Sequence, residues 1–148
     1  MGRLTSVVID THVLAWSLIA PGQLPTEARS LLLSGAMVYV PPCSLHEITT
    51  KVRLGKWDVM APYADRIDRL CMSQGFHIAP YTAKMAMMSG LMDWAHRDPF
   101  DRMIAATAIE MACPLISTDT AFDGLAGFPE WKGRVWGSNP VADSEPGL

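Results

Sequence analysis

His96-Arg97-Asp98-Pro99-Phe100-Asp101-Arg102-Met103-Ile104-Ala105-Ala106-Thr107-Ala108 is the stretch on which the reading of the chain turns. Asp98 ahead of Pro99 marks a helix start. An aspartate side chain accepts a bond from a free N–H of the first turn, and proline suits the first helical position because it has no N–H to lose. Asp101 then falls in the first turn. Ile104, Ala105 and Ala108 follow three, four and seven residues later, on the same face. That face is apolar and packs inward, so Asp101 is expected at the rim of the core. The small alanines let the helix lie close to its neighbour. The expectation is that other acids of the chain come to Asp101, and that their cluster is the function.

Downstream, Pro114 stops this helix, and 115–118 reads as a strand ending at Asp119. A short helix over 120–125 and an edge strand over 134–136 follow. Upstream, the β-branched run 4–9 is a strand ending at Asp10. Apolar residues then repeat at helical spacing over 11–20 until Pro21-Gly22. Pro25 opens a second helix that runs to Gly35, and 37–40 is a second strand closed by Pro41-Pro42. Ser44 with Glu47 three residues on reads as a capping box for a third helix, which carries Lys51 and Arg53 and stops near Gly55. A fourth helix is expected over 62–73, a weak strand over 76–78, a Met-rich helix over 82–91 and a loop over 93–97. The polar 139–148 reads as a loose tail. Short apolar strands alternating with helices describe an α/β fold, a parallel sheet with helices on both faces. One domain is expected over 1–138, with no internal repeat.

The totals narrow the class. A chain of 148 residues is long enough to bury a core without disulfides or a structural metal. Its 49% apolar and 18% charged composition argues against disorder. A net charge of −3 is not that of a typical nucleic-acid binder, so any such role must rest on a local site. Three widely spaced cysteines, Cys43, Cys71 and Cys113, suit reduced core thiols and a cytoplasmic location. No apolar run approaches the roughly 20 residues that cross a bilayer, so no membrane role is expected. Asp10 and His12 interrupt the apolar start and argue against a signal peptide, and the Gly2 myristoylation pattern is read as chance.

Sites of open parallel sheets form beyond the carboxyl ends of the strands. Asp10 directly follows the first strand, Asp119 follows the strand over 115–118, and Glu47 begins the helix after the second strand. Chain direction thus ties three acids to one edge. Asp101 is expected at the opposite edge unless the 93–97 loop carries it across. If the four meet, two charges ~4 Å apart repel by roughly 4 kcal/mol at an effective dielectric near 20, so a cation is needed. Oxygen-only ligands suit Mg²⁺ or Mn²⁺ rather than zinc, and His46-Glu47 lacks the second histidine of a zinc motif. One ion, or a pair roughly 3.5–4 Å apart, can acidify water and steady an in-line phosphoryl displacement.

Val8-Ile9-Asp10-Thr11-His12, Glu47, Asp98-Pro99-Phe100-Asp101 with the helix behind it, and Ile116-Ser117-Thr118-Asp119 resemble the PIN-domain nucleases, above all the VapC-type toxins of bacterial toxin–antitoxin pairs. The resemblance covers about residues 6–136. It implies a three-layer αβα sandwich with a short, mainly parallel central sheet, and it brings Asp101 into the site. It matches Asp10, Glu47, Asp101 and Asp119 to the family's metal-binding acidic quartet, and Ser117 to its hydroxyl position. It further implies an Mg²⁺- or Mn²⁺-dependent endoribonuclease with RNA as substrate. A cognate antitoxin would cover the acidic pocket with a basic side chain, and the toxin would be a homodimer.

Plainer readings stand beside these. Asp10, Asp98 and Asp119 are also good N-caps, and Asp123 reads as a solvated acid. His12 and His46 are ordinary polar residues on this reading. Lys51, Arg53, Lys56, Arg97 and Arg102 suit RNA phosphates or a solvated face equally well. Met85, Met87, Met88 and Met92 are core filler or a partner groove. Two rival functions remain: a PIN-like module that binds RNA or protein without cutting, and a haloacid-dehalogenase-like phosphatase. The latter wants a second Asp at position 12, where this chain has His.

Overall fold

The computed structural model of the chain describes residues 6–137. The expected tail over 139–148 lies outside them. Five strands form one sheet: β1 Ser6–Ile9, β2 Met37–Val40, β3 His77–Ile78, β4 Leu115–Ile116 and β5 Arg134–Val135. Every pairing is parallel, and the order is β3-β2-β1-β4-β5. Six helices connect them: α1 Thr11–Ile19, α2 Thr26–Leu33, α3 Pro42–Arg53, α4 Ile67–Ser73, α5 Ala83–Leu91 and α6 Pro99–Met111.

Alternation along the strands builds two cores. Side chains two apart on a strand share a face. Val7 and Ile9 join Val38, Val40 and Ile116 on one face, under α1 to α4 through Val13, Leu14, Ala28, Ile48 and Cys71. Val8 and Leu115 face the other way, against Met85 of α5 and Ile104, Ala105 and Ala108 of α6. Both faces of the sheet are therefore covered, which is the expected three-layer αβα arrangement. Met85 and Met92 are buried in the second core, whereas Met87 is exposed.

Three expectations need correction. Helix α3 begins at Pro42, not at Ser44, because proline is preorganised for a first turn. Ser44 therefore sits inside the helix, fully buried, and no Ser44–Glu47 capping box forms. The single helix expected over 62–73 is instead a 3₁₀ stretch, Asp58–Arg66, followed by α4. Pro62 falls inside the 3₁₀ stretch rather than at a helix start. The third concerns Asp101. A helix that crosses back over a parallel sheet runs against the strands, so it starts at their carboxyl edge and delivers the chain to the amino edge of the next strand. Helix α6 does this ahead of β4, and the 92–98 segment between α5 and α6 leads into its start, so Asp101 lines one cleft with Asp10 and Asp119.

The strand order also locates the site. The chain leaves β1 toward β2 and β3, then crosses to β4 on the other side. The reversal falls between β1 and β4, where parallel sheets open a crevice at their carboxyl edge. Asp10 and Asp119 follow these two strands.

Candidate active site

Asp10, Thr11, His12, Trp16, Glu47, Lys51, Asp98, Asp101, Thr118 and Asp119 line one cleft of about 490 Å³. All four acids of the expected quartet are among them. Local caps and contacts between distant segments hold them.

Asp10 is the N-cap of α1, and its Oδ1 accepts from the Val13 N–H at 3.0 Å. Only 6% of the residue is exposed. Burial pushes its carboxyl up to about 6; the Ser117 hydroxyl and the Val13 N–H pull it down, while Asp119 and Glu47 push it further up. Asp101 lies in the first turn of α6, and its N–H donates to the Asp98 cap at 3.1 Å. Its Oδ2 is 2.7 Å from His96 Nε2. Burial raises Asp101 to about 6, the His96 bond lowers it, and Asp98 and Asp119 raise it. Glu47, 7% exposed, projects from α3. Thr11 Oγ1 donates to its Oε1 at 2.7 Å, and Lys51 Nζ donates to its Oε2 at 2.9 Å. Asp119 is exposed and caps the 3₁₀ turn Thr120–Leu125 through Oδ1 and the Ala121 N–H at 2.9 Å. Capping and a site position thus coexist at Asp10 and Asp119.

Ser117 connects two of these acids. It is fully buried; its hydroxyl bonds Asp10 and accepts from the Asp119 N–H at 2.9 Å. Ser117→Ala leaves that N–H without its partner and Asp10 with the Val13 N–H as its donor. The expected cost is about 1–3 kcal/mol of stability, read by denaturant titration, with Asp10 rising further. A change under about 0.5 kcal/mol would contradict this placement.

His96 is the residue that the sequence did not single out. Among the described residues, His96, Asp101 and Asp119 form a triad whose ligand atoms lie within 4.8 Å of one another. Asp10 and Glu47 share the cleft but not that triad. The signal was present: His96 stands in the loop just ahead of the Asp98 cap. What fixes it is Arg102, which does not face the cleft as a phosphate ligand. Its guanidinium donates to the carbonyls of Ser89, Met92, Trp94 and His96 at 2.6–2.8 Å, and to Gly90 at 3.4 Å. It closes the open carbonyl end of α5 and shapes the loop that carries His96. Asp123 is exposed, as expected, and pairs at the surface with Arg134 through two bonds of 3.0 Å. Cys43 is driven up to about 12 by burial and by Glu47 and Asp101, so it stays a thiol and is no nucleophile.

The raised acids fix a pH dependence. Between about pH 4 and pH 6 the folded, ion-free chain keeps protons on Asp10 and Asp101 that the unfolded chain releases. Stability therefore falls as pH rises through that window and stays low above it. Ion-free protein should be roughly 1–3 kcal/mol more stable at pH 5 than at pH 7.5, read from denaturant midpoints. The opposite order would contradict the burial of these carboxyls.

No curated protein matches the sequence. Among solved structures, the fold is similar to VapBC2 from Rickettsia felis bound to a promoter DNA fragment, at 13% identity and a TM-score of 0.62, covering 89% of this chain and 99% of that one. It is also similar to a toxin–antitoxin complex from Klebsiella pneumoniae, at 19% identity and a TM-score of 0.58, covering 87% and 95%. A third likeness is to FitAcB from Neisseria gonorrhoeae, at 20% identity and a TM-score of 0.54, covering 90% and 97%. At such identities the likeness speaks to the fold. The sequence decides the family: the PIN domain model matches residues 7–127, nearly all of the described chain, and the protein belongs to the PIN domain family.

Proposed function

We propose that this chain is a metal-dependent endoribonuclease that hydrolyses RNA phosphodiester bonds. The observation that carries the reading is the convergence of Asp10, Glu47, Asp101 and Asp119, from four separate segments, on one cleft at the switch point of the sheet. Two of the four carboxyls are held near 6 by burial, and the partners of Asp10 are neutral donors. Such a donor set is short of positive charge and fits a hard divalent cation, Mg²⁺ or Mn²⁺.

Asp10, Glu47, Asp101 and Asp119 would hold one or two such ions. When bound, the cation supplies Lewis-acid charge to the scissile phosphate and acidifies water. The chain's own residues set the stage. Ser117 orients Asp10, and His96 fixes the rotamer of Asp101, as hydrogen-bonded partners of ligating carboxylates do. Thr11 and Lys51 hold both oxygens of Glu47. Asp119 stands exposed where the substrate enters.

The biological role proposed is that of a toxin, a cytoplasmic homodimer restrained by a cognate antitoxin that puts a basic side chain into the acid cleft. The toxin–antitoxin complex named for one structural neighbour supports an antitoxin partner. No helix among the described residues is long and apolar enough to cross a membrane. Purified protein should cut RNA with Mg²⁺ or Mn²⁺ and stop when the ion is chelated; cleavage that persists in chelator would contradict the mechanism. Induction should arrest growth until a neighbouring small protein is co-expressed, and arrest that no neighbour relieves would contradict the toxin role.

A further inference from the structure

Along the rim of the acid cleft a run of rings continues outward. The His12 ring lies 5.0 Å from Trp57 and 5.7 Å from Trp16, centre to centre, and Trp16 lies 5.7 Å from Trp136. His12 and Trp16 line the cleft itself. Lys51 ties the run to the acids: its Nζ is 5.5 Å from the centre of the Trp57 ring and 2.9 Å from Glu47 Oε2. The three indoles are half-buried and pack on the first core, so packing alone accounts for part of each. It does not account for His12. Its neighbours Thr11 and Val13 are buried, whereas His12 is exposed, lines the cleft and lies tilted against two indoles.

Among the described residues lining the cleft the cation is Lys51, and it is paired with Glu47. Arg102 is bound to carbonyls of its own chain, and Arg134 holds Asp123 and the Ser117 carbonyl. An RNA strand that reaches Asp10 therefore meets aromatic rings with one paired lysine beside them. Unpaired bases stack on such rings, and paired bases cannot because their faces are covered within the helix.

We propose, resting on the ribonuclease reading, that Trp57, His12 and Trp16 form a stacking platform for an unpaired nucleotide beside the scissile phosphate. Single-stranded RNA is then selected by stacking at His12, with phosphate contacts secondary. Binding should weaken only shallowly with salt, the slope of log K on log salt being about −1 to −2, as for one to three neutralised phosphates.

The test uses full-length Asp10→Asn protein with Mg²⁺, so that binding is read without cleavage. A short single-stranded oligoribonucleotide should quench indole emission saturably, and the matching RNA duplex should not. Adding His12→Ala should weaken binding roughly 5- to 100-fold, the range of one lost stacked base. His12→Phe should keep near-parental affinity, which a merely structural histidine would not predict. Equal affinity and quenching in His12→Ala, equal binding of duplex, or no quenching by RNA at all overturns the platform; the last result would leave the strip to a protein partner. Cleavage by the wild-type chain is scored in parallel. Intact cleavage with an indifferent His12 sinks the platform alone. Saturable quenching with no cleavage under Mg²⁺ or Mn²⁺ sinks the nuclease reading alone.

Discussion

Asp10→Asn should lower metal-dependent RNA cleavage by about 10²–10³-fold, the scale of removing one electrostatic contributor to a transition state. The same change should make the ion-free protein more stable. Asparagine still caps α1, because its side-chain oxygen can accept from the Val13 N–H. It no longer carries a charge that burial, Asp119 and Glu47 all disfavour. A carboxyl moved from 3.8 to about 6 forfeits up to roughly 3 kcal/mol when ionised, so a gain of about 1–3 kcal/mol is expected at pH 7.5. The midpoint of melting should rise by roughly 3–9 °C. The two effects have opposite signs and one cause. Lost cleavage with lost stability would mean that the variant merely misfolds. Retained cleavage by a folded variant would remove Asp10 from the chemistry.

Arg102→Ala should be the most damaging single change outside the two apolar cores. Four carbonyls at 2.6–2.8 Å and a fifth at 3.4 Å lose a charged donor. Some of them regain water, so the cost is far below five full bonds. About 3 kcal/mol is expected, roughly 10 °C in melting midpoint for a chain of this size. Arg102→Lys should recover less than half, because an ammonium cannot present the flat fork of donors that reaches several carbonyls at once. The loss should spread to the site: with the loop behind His96 loosened, the His96–Asp101 bond loses its support and amide exchange over 92–98 accelerates. A variant within about 0.5 kcal/mol of wild type would show that these bonds are not structural.

The sequence made the skeleton legible because the physics there is local. Short β-branched apolar runs marked the strands, helical spacing with proline or glycine stops marked most helices, and Asp98-Pro99 marked the start of α6 to the residue. Asp10 and Asp119 were legible because a strand end followed by a helix-capping acid fixes the carboxyl edge. What was lost depends on contacts between distant segments. Arg102 reads as a cation for RNA until the structure shows the carbonyl end of α5 beside it. His96 has no motif; only the fold brings its ring to Asp101. Ser44 carried a good local pattern, yet Pro42 outbid it for the first turn, and its hydroxyl instead lies 3.0 Å from Thr11 Oγ1. Asp101 was the least constrained of the four by chain direction, because α5 and the 92–98 segment separate it from the preceding strand; the resemblance brought it into the site, and it lines the cleft.

All of this turns on whether the gathered carboxylates hold a divalent ion, and calorimetry of Mn²⁺ binding reads that directly. Asp10 and Asp101, both near 6, are each about half protonated at pH 6 and must ionise to take a cation. Titrations at pH 6 in buffers of different ionisation enthalpy should show saturable binding with release of about one proton per chain, and at pH 8 binding with almost none. Absence of saturable binding, or binding at pH 6 with no proton released, would contradict the account.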